Sequence, residues 1–147
     1  MQNTEPPTNR TATFLVVDDD EFSAEVLREM LQQDGLVHVE MAPDGKRALK
    51  ALASMKEAPD MLICDLYMPD MDGIEFMAQL GKQHYRGGIV LVSGENIECL
   101  AIARQVAIED GLNVIGAFTK PLGRDLLLEV LARRMPTVSG GRKAPGR

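Results

Sequence analysis

No apolar run among the 147 residues approaches the roughly 20 that a membrane-crossing helix requires. The opening segment, Met1 to Thr13, is polar, holds Pro6 and Pro7, and lacks the apolar stretch of a secretory leader. Cysteine is scarce: Cys64 and Cys99 sit inside apolar segments at no metal-binding spacing, as small, buried, reduced thiols would in a cytoplasmic protein. The chain has no Gly-rich phosphate loop, no Gly-x-Ser-x-Gly and no Asp-x-Asp-x-Thr, so three common catalytic plans lack their residues. His38 and His84 have no spacing that pairs them as ligands. Positive charge is also short: in residues 13–135, 12 basic side chains face 21 acidic ones, a balance of −9. So acidic a body argues against autonomous nucleic-acid binding, which draws its affinity from phosphate contacts.

What is present is alternation. Short β-like runs take turns with longer helical patterns, the signature of βα units and a parallel sheet. The runs predict strands near 13–17, 36–41, 61–64, 88–92 and 114–118. Between them lie helices: about Glu21 to Gln33 with Phe22, Val26, Leu27, Met30 and Leu31 inward, then one opened by Pro43 with Ala48, Leu49, Leu52 and Met55 inward. A third carries Ile74, Met77 and Leu80, a fourth runs from about Glu95 to a Gly111 stop, and a fifth from about Leu122 to Arg134. The expectation is one α/β domain at 13–135, with a disordered tail at 1–12 and a flexible tail or linker stub at 136–147.

Four fragments carry the chemistry, each at the end of an apolar run: Asp18-Asp19-Asp20, Asp65-Leu66-Tyr67-Met68-Pro69, Ser93-Gly94 and Lys120-Pro121. Strand ends on one edge are where an open parallel sheet gathers its reactive groups. Asp18 and Asp19, with Asp65 if their strands are neighbours, would form a set of hard oxygen donors suited to Mg²⁺. Three consecutive acids exceed what a helix cap needs, although one of them can serve as the cap. Asp65 could act as a nucleophile toward phosphorus, with Lys120 and the Ser93 hydroxyl receiving phosphoryl oxygens. Ser-Gly is also ordinary turn chemistry and a single lysine is often only solvated; their shared placement after strands gives them weight. Asp72 reads as a cap and Gly73 as part of a turn.

In that order and spacing, with Asp-Leu-x-Met-Pro-x-x-Asp-Gly at 65–73, the chain resembles the receiver domains of two-component response regulators, the CheY-like family, over about 13–133. The resemblance implies a doubly wound five-stranded parallel sheet of order 2-1-3-4-5, flanked by five helices. It implies Asp65 as phosphoacceptor, Asp18 and Asp19 as the acidic metal pair, and a Tyr67 backbone carbonyl on Mg²⁺, which Mn²⁺ could replace. Ser93 would be the hydroxyl switch residue, Lys120 the phosphate-facing lysine, and Lys120–Pro121 a cis peptide. The partners implied are a histidine kinase or phosphotransfer protein and an output domain or effector. Such a domain catalyses only its own phosphorylation and dephosphorylation, and is not otherwise an enzyme.

Departures from the family pattern matter. Receivers carry an aromatic residue three positions before the lysine; here that position is Ala117, and Phe118 follows. The 27 positions from Ser93 to Lys120 are more than usual. The segment 109–122 is similar to receivers attached to cyclic-di-GMP phosphodiesterase (EAL) domains. The fourth helix has a wide apolar face, which tight packing of an alanine-rich helix would explain. The second reading is an interface through Ile97, Ala101 and Ile108, in a homodimer or with an output domain. Two rivals stand beside the switch: an interaction module without phosphoryl transfer, and a metal-dependent phosphatase, for which the chain shows no general acid.

Overall fold

The structure, a computed structural model, describes residues 12–33, 37–67, 71, 73–94 and 97–134. Five strands and five helices alternate: β1 (Ala12–Val17), α1 (Glu21–Gln32), β2 (Val37–Ala42), α2 (Gly45–Ser54), β3 (Met61–Asp65), α3 (Gly73–Lys82), β4 (Gly88–Ser93), α4 (Ile97–Glu109), β5 (Asn113–Thr119) and α5 (Arg124–Arg134). All strand pairings are parallel and the order is β2-β1-β3-β4-β5. This is the doubly wound α/β fold that the alternation and the resemblance led us to expect.

Both sheet faces are covered, which is why the central strands read as unbroken apolar runs rather than alternating ones. Leu15, Val17, Leu62, Cys64, Ile89 and Leu91 point to the face packed by α2, α3 and α4. Phe14, Val16, Met61, Ile63, Val90 and Val92 point the other way, under Ala24, Leu27 and Leu31 of α1 and Leu127 of α5. Period-two alternation thus sends successive residues into two different cores.

The sequence-based boundaries need several corrections. Asp44 rather than Pro43 begins α2, accepting the Arg47 amide at 2.8 Å and so satisfying one of the open donors of the first turn. Phe22 and Val26 lie on the surface of α1, 77% and 39% exposed, while Ala24, Leu27 and Leu31 form its inner stripe. Position 22 stands about 200° from position 24 around a helix, so both cannot face the sheet. Leu122 is buried but precedes α5. Leu36, Glu95, Asp72 and the side chains of Val130 and Leu131 lie outside the described residues.

Two irregularities shape the functional edge. Between Ile89 and Val90 the β4–β5 register slips, so that Ile89 faces Val114 and Val90 faces Gly116. One extra residue in a strand reverses the face of every side chain beyond it. Val114 and Ala117 therefore pack toward α4, whereas Ile115 and Phe118 pack toward α1 and α5. At Gly73, a β-carbon would stand 2.3 Å from Leu66 Cδ2 and 2.9 Å from Leu66 Cα. Because the backbone there cannot yield as a flexible side-chain tip can, Gly73→Ala should destabilise the fold by about 1–3 kcal/mol. Urea denaturation followed by circular dichroism measures this; an unchanged midpoint would mean that the α3 entry is looser than drawn.

Candidate functional site

Strands β1, β3, β4 and β5 all end at the same edge, and their last residues build one site. Asp18 follows β1 directly and is held to the neighbouring strand by its amide, which donates to the Ala42 carbonyl at 3.1 Å. The three consecutive acids divide their work. Asp20 caps α1, its Oδ1 accepting the amides of Phe22 and Ser23 while Oδ2 accepts the Ser23 hydroxyl. The Ser23 hydrogen bonds hold the Asp20 carboxyl below its ordinary range. Asp18 accepts the Asp20 amide at 2.9 Å through Oδ1 and is nearly buried, while Asp19 remains exposed.

Asp65 ends β3 and is 5% exposed. Its Oδ1 accepts the Tyr67 amide at 3.1 Å and its Oδ2 the Lys120 ammonium at 3.0 Å. The same Lys120 Nζ donates to Asp18 Oδ2 at 2.9 Å. Burial pushes the Asp65 carboxyl above its usual range, with Asp18 adding repulsion; the Tyr67 and Lys120 hydrogen bonds offset only part of this. Burial alone would lower the Lys120 ammonium, but the hydrogen bonds it donates to Asp18 and Asp65 outweigh this and the pKa rises. Ser93 is fully buried at the end of β4, one residue beyond the Val92 that pairs with Asp65. Lys120 donates its amide to the Ser93 carbonyl at 2.8 Å, which fixes the stem of the lysine at the edge. The Lys120–Pro121 peptide is cis.

Asp18, Asp19 and Asp65 each offer a carboxylate oxygen, and these lie within 4.8 Å of one another. Such a set of hard oxygens, two from nearly buried side chains, fits a small divalent cation. The edge therefore brings together Asp18, Asp19, Asp65, Tyr67, Ser93, Lys120 and Pro121. Ile97, Ala101 and Ile108 stand apart on α4 and are exposed, Ile97 by 68% and Ile108 by 47%. Tight packing does not explain the wide face of that helix: it buries only Leu100, Ala103 and Ala107.

Sequence reasoning missed three side chains beside the site. Phe22 and Val26, read as core, line a cavity of about 160 Å³ with Ser23, Lys120, Pro121 and Leu122. The Tyr67 side chain was assigned nothing, yet its hydroxyl lies 3.9 Å from Cys99 Sγ on α4. No sequence signal announces that contact, 32 positions apart. Cys64 is inert as expected: burial, then the charges of Asp65 and Asp18, push its thiol well up.

Comparison with known proteins agrees with this geometry. The response regulator receiver domain family matches residues 14–132, and the chain belongs to that family, the phosphorylation-dependent switches of two-component systems. An uncharacterised 14.6 kDa protein from the sodA1 3′ region of Leptolyngbya boryana is 35% identical over 116 residues, covering 74% of this chain and 79% of that protein. A protein-glutamate methylesterase/protein-glutamine glutaminase of Halobacterium salinarum is 38% identical over 109 residues, and the match spans 30% of its length. The Vibrio cholerae chemotaxis protein CheY4 superposes with a TM-score of 0.69 at 29% identity, over 85% of this chain and 99% of that one. Among the described residues no helix is long and apolar enough to cross a membrane.

The raised carboxyl of Asp65 has a consequence for stability. The folded state binds that proton more tightly than the unfolded chain, so stability falls as pH rises from the ordinary carboxylate range through the raised value. At neutral pH without divalent ions, Asp65→Asn should therefore raise Tm by about 3–5 °C, as about 1 kcal/mol does in a domain of this size. Thermal melting checks this; a fall in Tm would mean that the Lys120 bond outweighs burial and repulsion.

Proposed function

We propose that Asp65 is the phosphoacceptor of this receiver and that residues 13–135 form the working unit. The observation that carries the reading is the convergence of Asp18, Asp65 and Lys120 within 3.0 Å bonds at one strand edge. The donor is a phosphohistidine on a histidine kinase or phosphotransfer protein. A carboxylate oxygen of Asp65 forms a bond to phosphorus as the phosphorus–nitrogen bond breaks, and the imidazole leaves with the electron pair. Lys120 binds a phosphoryl oxygen with its ammonium, and the Ser93 hydroxyl, supplied by the adjoining strand, donates to another. Asp18, Asp19, Asp65 and the Tyr67 carbonyl would hold Mg²⁺, or Mn²⁺ in its place. That ion would neutralise charge on the transferring group. Water attack on phosphorus then releases inorganic phosphate and restores the carboxylate, so the domain turns over only its own phosphoryl group.

The groove beside Phe22 and Leu122 offers a phosphodonor protein apolar surface to bury next to Lys120. Output is assigned to α4 and the neighbouring β5 and α5, where Ile97, Ala101 and Ile108 share one exposed stripe at helical spacing. A homodimer through that stripe, or an effector seated on it, is the form this output takes. An effector of the cyclic-di-GMP phosphodiesterase type rests on the likeness of segment 109–122 alone. A cytoplasmic location goes with the two free cysteines.

Acetyl phosphate with Mg²⁺ should add one phosphoryl mass to the intact protein, and Asp65→Asn should abolish the addition. No mass change in the wild type would favour the interaction module without phosphoryl transfer. Ile108→Glu should weaken association measured by sedimentation while phosphoryl uptake persists. Loss of both together would point to misfolding rather than an output face.

A further inference from the structure

The path from Asp65 to α4 has no aromatic side chain on β5 to run through. Ala117 supplies only a methyl on the α4 side, and the register slip turns Phe118 to the opposite core. Phe118 cannot exchange roles with Ala117, because its ring lies over Gly116, 2.4 Å from where a β-carbon would be. A different residue spans the gap. Tyr67 donates its amide to Asp65 Oδ1 at 3.1 Å and directs its hydroxyl to Cys99 Sγ at 3.9 Å, in the first turn of α4. A cavity of about 160 Å³ lined by Leu66, Tyr67, Gly73, Ile74 and Cys99 lies at this contact and leaves Tyr67 room to shift.

The helix at the far end of this contact packs closely on α3 and β5 through small side chains. Two of its three buried residues, Ala103 and Ala107, are alanines, and Leu100 is the third. Short side chains offer few obstacles to a small slide of such a helix along its neighbours.

We infer that the Tyr67 side chain is the positioning residue that couples the state of Asp65 to the position of α4. The inference rests on Asp65 being phosphorylated. Acylation strips the charge from the carboxyl oxygens, whichever of them takes the phosphorus, and moves it out to the phosphoryl group. The charge-assisted hydrogen bond from the Tyr67 amide then weakens, and the Tyr67 ring shifts against Cys99 while Leu66 stays tied to Val92 and Gly73. The two states differ in what holds Tyr67, which is the differential interaction a switch requires.

The test uses the whole chain with Mg²⁺ and beryllofluoride, reading deuterium exchange over residues 97–109 at matched occupancy. Tyr67→Ala and Cys99→Ala should each cut the beryllofluoride-dependent change in exchange about fivefold. The double variant should lose no more than either single change, since both break one contact. Tyr67→Phe, which removes the hydroxyl that meets Cys99, should cut the response as Tyr67→Ala does. Because the chain has no tryptophan and only two tyrosines, with Tyr85 buried against the Pro59 carbonyl, tyrosine emission gives a second reading of Tyr67. A wild-type exchange response in Cys99→Ala overturns the inference, as does strict additivity in the double variant. If Tyr67→Ala loses beryllofluoride binding, Cys99→Ala decides alone, since Cys99 meets Tyr67 at the hydroxyl and not at the carbonyl proposed for the metal. Failure of the wild type to take acetyl phosphate would instead sink the assignment of Asp65.

Discussion

The Lys120 ammonium lies 2.9 Å from Asp18 Oδ2 and 3.0 Å from Asp65 Oδ2, and so ties the ends of β5, β1 and β3 together. Two nearly buried carboxylates with an exposed third beside them would repel one another strongly in a medium less polar than water. One cation shared between two of them leaves the set net negative. That residual charge is the basis of the proposed chemistry, because it creates the demand for a divalent ion. It also raises the Asp65 carboxyl, even with Lys120 and the Tyr67 amide in place. Stability and function thus oppose each other at this edge, as is common where charge is concentrated for a reaction.

The scaffold makes such concentration possible. Two apolar cores clamp the sheet from both sides, so the strand ends cannot relax away from their charges. Parallel pairing brings the C-terminal ends of neighbouring strands to one rim. The acids, the hydroxyl and the lysine then need only sit one position beyond an apolar run. Around that rigid rim the helices differ in how firmly they are held. α3 buries Phe76, Met77 and Leu80, whereas α4 rests on one leucine and two alanines and exposes Ile97, Ile102 and Ile108. A close contact made by small residues beside a firm site suits a relay that slides by a small amount.

Much of this was legible before any coordinates. The five strands, the helix stop at Gly111 with its φ of +84°, and the edge positions of Asp18, Asp65, Ser93 and Lys120 follow from apolar runs and the residues that end them. Errors fell where a helix meets the sheet at one angle only. Phe22 and Val26 look as apolar as Leu27, and nothing local says which stripe of α1 turns inward. The same ambiguity hid the nature of α4: its isoleucines read as packing, although the buried positions go to small residues. The β5 slip was equally silent, because a bulge is decided by pairing with β4 rather than by composition.

Sequence alone determined which groups exist and where the chain changes direction, because turn chemistry and apolar periodicity act over a few neighbouring residues. It also determined the inventory of the rim, since each group ends its strand or directly follows it. Tertiary structure decided which of three consecutive aspartates caps a helix, which faces a lysine 102 positions away, and which stays in water. It alone brought Tyr67 to Cys99 and turned Phe118 away from α4. These depend on packing angle and strand register, which are set by contacts between distant segments and leave no local trace.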